Sequence, residues 1–191
     1  MLKMTWQILF LGSPIFIAAL AHGLCMKYKL IQWIKRPIDS GKKFRNKRIF
    51  GDHKTWRAPF VYIIICFLGA MVQSRIQDAD IFPEWLFLID YRIHGCLVGL
   101  LLGIGMTVGE LPNSFIKRQL DIVPGGKKKG LLGFVFFLFD QVDFAIAIWI
   151  FLFFIVNPSL LLVAWSLVLT LLFHMIISGA GYLLGMRETI V

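Results

Sequence analysis

From Leu131 to Val156 the chain runs for twenty-six residues with Asp140 and Asp143 as its only charges. At 1.5 Å of rise per residue such a run outreaches the ~30 Å hydrocarbon core of a bilayer. A lipid environment leaves no water to satisfy backbone N–H and C=O groups, so a segment like this must be helical or lie in a closed barrel. Unbroken apolar runs, rather than strict apolar–polar alternation, select the helix. Four more runs share the character, at residues 8–26, 58–72, 93–108 and 160–184. The composition agrees: 58% of the 191 residues are hydrophobic, with eighteen Phe and six Trp, against about 45–50% apolar in soluble domains. The expectation is an all-α integral membrane protein: one membrane domain over residues 1–191, about five transmembrane helices, and basic cytoplasmic loops. The shorter stretch IFPEWLFLI (81–89), with Trp85, reads as an interfacial helix or re-entrant piece.

Charge sets the orientation. The 27–57 loop holds eleven Lys and Arg, the 110–130 loop five, and Arg187 follows the last run; Lys3, Arg75 and Arg92 fall on the other side. By the positive-inside rule the N-terminus lies outside the cytoplasmic membrane, and both basic loops and the C-terminus face the cytoplasm. The net charge of +9 is therefore a topology signal and needs no nucleic-acid partner. Ala19-Leu20-Ala21 resembles a signal-peptidase site. Cleavage there would export the eleven-charge loop, so the first run is expected to stay as a span. Asn157-Pro158 reads as a tight outer turn between the fourth and fifth runs. Cys25, Cys66 and Cys96 have no metal-ligand spacing and read as small buried apolar residues. Gly95, Gly99 and Gly103, with Gly105 and Gly109, mark close helix packing.

Three polar stretches stand out at the cytoplasmic boundary. The first, PIDSGKKFRNKRIFGDHKTWR (37–57), mixes Asp39, Asp52, Gly41 and Gly51 with seven basic residues; free backbone N–H groups near a helix start can hold phosphate. It lacks the Walker A spacing. In the second, GELPNSFIKRQL (109–120), Pro112 is expected to end the third run and start an amphipathic surface helix. Ser114, Lys117 and Arg118 share one face of it, with Glu110 leading in. The third is Asp140 and Asp143 themselves. An aspartate at a helix centre costs about 2.5–3.5 kcal/mol on insertion scales, and two at this spacing repel each other. They call for a cation, either Lys/Arg or a hard divalent ion such as Mg²⁺ held jointly with phosphate oxygens. A transporter using the aspartate pair, or a non-catalytic protein binding anionic lipid, would account for parts of this pattern. His174, alone in the fifth run, reads as a packed, hydrogen-bonded histidine.

Taken in order, Pro37-Ile38-Asp39-x-Gly41, Arg48-Ile49-Phe50-Gly51-Asp52-x-Lys54-Thr55-Trp56-Arg57, Ser114-Phe115-Ile116-Lys117-Arg118 and Asp140-Gln141-Val142-Asp143 resemble the CDP-archaeol synthase family. That family sits within the membrane CTP-dependent cytidylyltransferases, alongside phosphatidate cytidylyltransferase. The likeness runs from about residue 37 to 150, with Glu110 standing where relatives often have Asp. It implies a Mg²⁺-dependent nucleotidyltransferase that joins CTP to a membrane lipid phosphate and releases pyrophosphate. The implied metal ligands are Asp140, Asp143, Glu110 and Ser114. Lys117 and Arg118, with Asp140 and Asp143, are the implied catalytic set. Asp39, Gly51, Asp52, Lys54, Thr55 and Arg57 are implied at the nucleotide, Asp39 and Asp52 reaching either metal or cytosine. The acceptor stays open between an isoprenoid ether and a diacyl lipid phosphate, and a homo-oligomer is allowed but not required.

Overall fold

The structure is a computed structural model that describes residues 1–122 and 130–183, without the side chains of residue 132 and residues 177–183. Five α-helices carry it: α1 (Leu2–Lys27), α2 (Arg57–Asp78), α3 (Tyr91–Gln119), α4 (Gly130–Leu152) and α5 (Leu160–Leu183). α1 to α4 are each long and apolar enough to cross a membrane, and α5 is apolar over Leu160–Ile176. Helix α3 is the hub, flanked by α2 on one side and α4 on the other. α1 packs on α2 and α5 on α4. The ring closes where Trp165 donates to Thr5 across 2.9 Å and Phe16 meets Phe173 edge-on at 5.2 Å.

Without an aqueous driving force, helices in lipid associate by close backbone contact, and α3 has a small-residue stripe for each neighbour. A Cβ at Gly99 would lie 2.6 Å from Phe67 Cα and one at Gly103 2.5 Å from Ile63 Cα, so α3 touches the α2 backbone there. A Cβ at Gly105 would sit 2.6 Å from Ile148 Cγ1, and one at Gly109 2.5 Å from Phe144 Cα, both on α4. α1 repeats the device in reverse, with Pro14 seated where Gly69 of α2 has no side chain. Pro14 also removes the N–H that would bond Phe10 C=O, and Gln73 Nε2 of α2 donates to that carbonyl instead, at 2.5 Å.

Several expectations are corrected. α3 does not end at Pro112; it runs unbroken to Gln119, about 44 Å at 1.5 Å per residue. One backbone hydrogen bond is lost at Pro112, but side-chain bonds from Asn113 and Lys117 to α4 hold the continuing turns in place. The expected surface helix is therefore the extension of a span. The 81–89 stretch has only a single 3-10 turn, Glu84–Leu86, because Pro83 precedes it and Asp90 already caps α3 by accepting from Arg92 N–H at 3.0 Å. α4 ends at Leu152, four residues early, in a turn that leads to Ser159, whose Oγ accepts from Leu162 N–H. Of the three cysteines, all free, Cys66 is buried while Cys96 is exposed on the outer surface of the bundle.

The 28–56 connection is a folded unit. Arg45 and Asn46, both at positive φ, turn a two-residue hairpin of β1 (Lys43–Phe44) and β2 (Lys47–Arg48). Residues 36–38 and 54–56 zip together through Ile38 N–H to Lys54 C=O (2.8 Å) and Trp56 N–H to Arg36 C=O (3.0 Å). Lys47 clamps this unit onto the end of α3, donating to Gln119 C=O at 2.7 Å and pairing with Asp121 at 2.6 Å.

The contact at Gly103 is testable against Gly23, whose surroundings are open. Gly103→Ala is expected to lower stability by about 1–3 kcal/mol through overpacking. Gly23→Ala should be neutral or slightly stabilising. Thermal unfolding of the two variants in one detergent reads the difference.

Candidate functional site

Helix α3 sets Glu110, Asn113, Ser114 and Lys117 along one face, at spacings of three and four. Gly109 brings that face against the α4 backbone at Asp143 and Phe144. The result is a cavity of about 210 Å³ whose polar wall is Lys54 from the loop, Glu110, Asn113 and Ser114 from α3, and Asp140 and Asp143 from α4. Phe144 and His174 complete it.

The charges in this cavity are ordered by mutual contact. Asn113 Nδ2 donates to both aspartates, to Asp140 Oδ1 at 2.6 Å and Asp143 Oδ2 at 3.1 Å, so the two carboxylates converge on one point. Lys117 pairs with Asp140 and lies over the Phe136 ring at 5.8 Å. Lys54 pairs with Glu110. Asp143 Oδ1 accepts from the Phe144 N–H at 2.7 Å. These contacts reduce the repulsion and desolvation that isolated carboxylates would suffer here.

Of the residues singled out in the sequence, Lys54, Glu110, Ser114, Asp140 and Asp143 meet in the cavity, and Lys117 joins through Asp140. Arg118 faces the loop instead, where a Cβ on Gly51 (φ +90°) would come within 3.6 Å of its Cδ. Arg57 and Arg118 each bury an Nε with no hydrogen-bond partner among the described residues. Asp39 is placed differently from the expectation of a metal or cytosine contact. Its side chain has 0% exposure and is taken up entirely by its own loop. It accepts from Arg48 Nη2 at 2.7 Å, Phe50 N–H at 2.9 Å, and Gly51 and Gly41 N–H at 3.0 Å each. Asp52, 75% exposed, pairs with the other side of the Arg48 guanidinium at 2.7 Å. Thr55 is buried in the bridge to Pro37. Asp39 and Thr55 thus frame the loop that presents Lys54. Sequence reasoning passed over Asn113 and discounted His174. The signal for Asn113 was available, since 110, 113, 114 and 117 form one helical stripe once Pro112 is allowed inside the helix.

Asp39 carries a pH signature. Burial pushes its carboxyl pKa up, but the Arg48 guanidinium and the N–H groups of Phe50, Gly51 and Gly41 outweigh this. Together they hold it well below the usual carboxylate range. A depressed carboxylate stabilises fully above its unfolded-state pKa and loses that contribution as pH falls through the folded value. Amide-exchange protection at Gly41, Phe50 and Gly51 is therefore expected to hold from pH 7 down to about 4 and to decline only in stronger acid. Asp39→Asn should lower that protection about tenfold or more at neutral pH, as buried donors lose a charged acceptor.

The sequence is matched over residues 4–191 by a family model described as CarS-like: CDP-archaeol synthase. A CDP-archaeol synthase of Methanosphaerula palustris is 33% identical over 159 residues, 80% of this chain and 87% of its own. One from Pyrococcus horikoshii is 33% identical over 153 residues, 80% and 81% of the respective chains. The solved structure of an intramembrane enzyme for archaeal membrane lipids biosynthesis shares the fold, with a TM-score of 0.62 at 18% identity over 87% of this chain and 89% of that one. A match across nearly the whole length, with relatives at this identity, makes the chain a member of the CDP-archaeol synthase family.

Proposed function

We propose that this protein is a CTP-dependent cytidylyltransferase that converts a membrane lipid phosphate, of the isoprenoid ether class named by its relatives, into a CDP-activated lipid and pyrophosphate. The observation that carries the reading is the convergence of Asp140 and Asp143 on Asn113, in one cavity with Glu110, Ser114 and Lys54. The two reactants are a lipid anchored in the bilayer and a soluble nucleotide. With the 27–57 and 110–130 stretches and Arg187 on the cytoplasmic side, as their seventeen positive charges against three elsewhere favour, the cavity lies where both can reach it.

The donor set fits Mg²⁺. Hard carboxylate oxygens and a hydroxyl line the cavity, and among the described residues no three His, Cys, Asp or Glu form an all-protein metal cage. That pattern suits an ion held by one or two carboxylates together with phosphate oxygens and water. Asp140 and Asp143 would hold it directly, and Glu110 and Ser114 on the same cavity wall would meet it through its water. When bound, the ion neutralises charge on the triphosphate and on the pyrophosphate leaving group.

The chain's own residues supply positioning and charge. Phosphoryl-type transfer is catalysed mainly by these two effects. Lys117 and Lys54, released from Asp140 and Glu110 as phosphate oxygens arrive, neutralise the nucleotide and the lipid headgroup. The Nε groups of Arg57 and Arg118, unpartnered among the described residues, are donors suited to phosphate. A lipid phosphate oxygen attacks the α-phosphorus of CTP; the new P–O bond forms as the α–β anhydride bond breaks and pyrophosphate leaves. The nucleophile is already ionised near neutral pH, so no general base is required. Asp39 acts at one remove, by holding the loop that carries Gly51, Asp52 and Lys54.

Purified protein given cytosine-labelled CTP, Mg²⁺ and a panel of lipid phosphates should form labelled lipid and equimolar pyrophosphate. The isoprenoid ether phosphate should turn over faster than diacyl phosphatidate. Asp143→Asn should cost about 10²-fold or more in kcat. No pyrophosphate release with any lipid phosphate would end the assignment.

A further inference from the structure

The only α5 side chain in the cavity wall among the described residues is His174. Its Nδ1 lies 3.0 Å from Gln141 Oε1. At the other end of that amide, Gln141 Nε2 donates to Phe137 C=O, one turn earlier, at 3.4 Å. The amide is thereby oriented with its oxygen toward the imidazole, an acceptor that the Nδ1–H tautomer satisfies. The same ring rests on Phe144, with centroids 5.5 Å apart and planes at 34°. Gln141 follows Asp140 and Phe144 follows Asp143. One α5 side chain therefore grips α4 at the two residues adjoining the paired aspartates.

We propose that His174 is a positioning residue for cytidylyl transfer, setting the rotation of α4 about its axis and hence the aim of Asp140 and Asp143 at the reacting phosphates. The inference rests on the function proposed above. α4 is otherwise held on its α3 side by the Gly105 and Gly109 contacts and by the Asn113 and Lys117 bonds to the aspartates. On its α5 side it is held by Trp149 Nε1 donating to Ser166 Oγ at 2.6 Å, more than two turns beyond Asp140; His174 is the α5 contact at the aspartates' own turns. At a side-chain radius of about 5–6 Å, a turn of about 20° would carry a carboxylate about 2 Å. Misplacement by about 1 Å can cost about 10²-fold in rate.

The test compares His174→Leu, His174→Asn, Gln141→Leu and the double Leu variant in the labelled-CTP assay, with thermal unfolding and a Mg²⁺-dependent thermal shift on each protein. His174→Leu should lower kcat about 10–100-fold at near-wild-type KM for CTP and near-wild-type unfolding temperature. It should also raise the Mg²⁺ concentration at half-maximal thermal shift about tenfold. His174→Asn, which keeps a donor close to the Nδ1 position, should restore most of kcat. Gln141→Leu should reproduce the loss, and the double variant should lose no more than either single one, as expected for one interaction. The proposal is overturned if His174→Leu stays within threefold of wild type, if its loss follows a fallen unfolding temperature, or if the two losses multiply. Wild-type protein inert toward CTP would sink the assigned function instead, and the Mg²⁺ thermal shift would still report whether His174 governs the aspartates.

Discussion

The close approach of α3 and α4 at Gly109 is the constraint on which the site depends. With no side chain there, the α4 backbone at Asp143 and Phe144 comes within contact of α3, and the next two turns of α3 deliver Asn113 and Lys117 to the aspartates. A wider separation would leave two carboxylates on an apolar helix with neither amide nor ammonium to meet them. In a low-dielectric setting that arrangement is too costly to persist. Backbone proximity is thus the condition for tolerating the charges.

A second constraint acts outside the bundle. A loop with so many like charges would by itself stay extended and solvated. Here the buried Asp39 carboxylate gathers a guanidinium and three backbone N–H groups and folds the loop around an anion. The charge that remains outward is then organised, with Lys54 directed to Glu110 on α3. Lys47 fastens the unit to the last turn of the same helix. Loop, α3 and α4 therefore share one frame of reference, and α5 enters it through His174.

Much of the fold was legible in the sequence because each apolar run states its own solution: in lipid, backbone groups must pair within the segment. The glycine stripe was legible too, although one stripe serves two partners, and spacing alone does not say which glycine meets which helix. Pro112 misled because a proline's local cost is read without knowledge of the bonds that follow it. Asp39 misled in another way, since an acidic residue expected to reach metal or cytosine has its acceptor capacity filled from within its own loop. Asn113 was hidden by the same misreading of Pro112, which broke the stripe it belongs to, and His174 was invisible as a site member, for a lone imidazole has no meaning until its neighbours converge.

By itself, then, the chain's order of residues determined the helical membrane class, the segregation of positive charge, and the three polar stretches whose likeness marks the family. Those are local or compositional properties, written in runs and spacings. Tertiary structure alone decided that one α3 face and one α4 face would close on a shared cavity, that Asn113 would bridge its aspartates, and that Asp39 would turn inward. Such facts depend on the distance between segments far apart in sequence, and a few missing Cβ atoms set that distance.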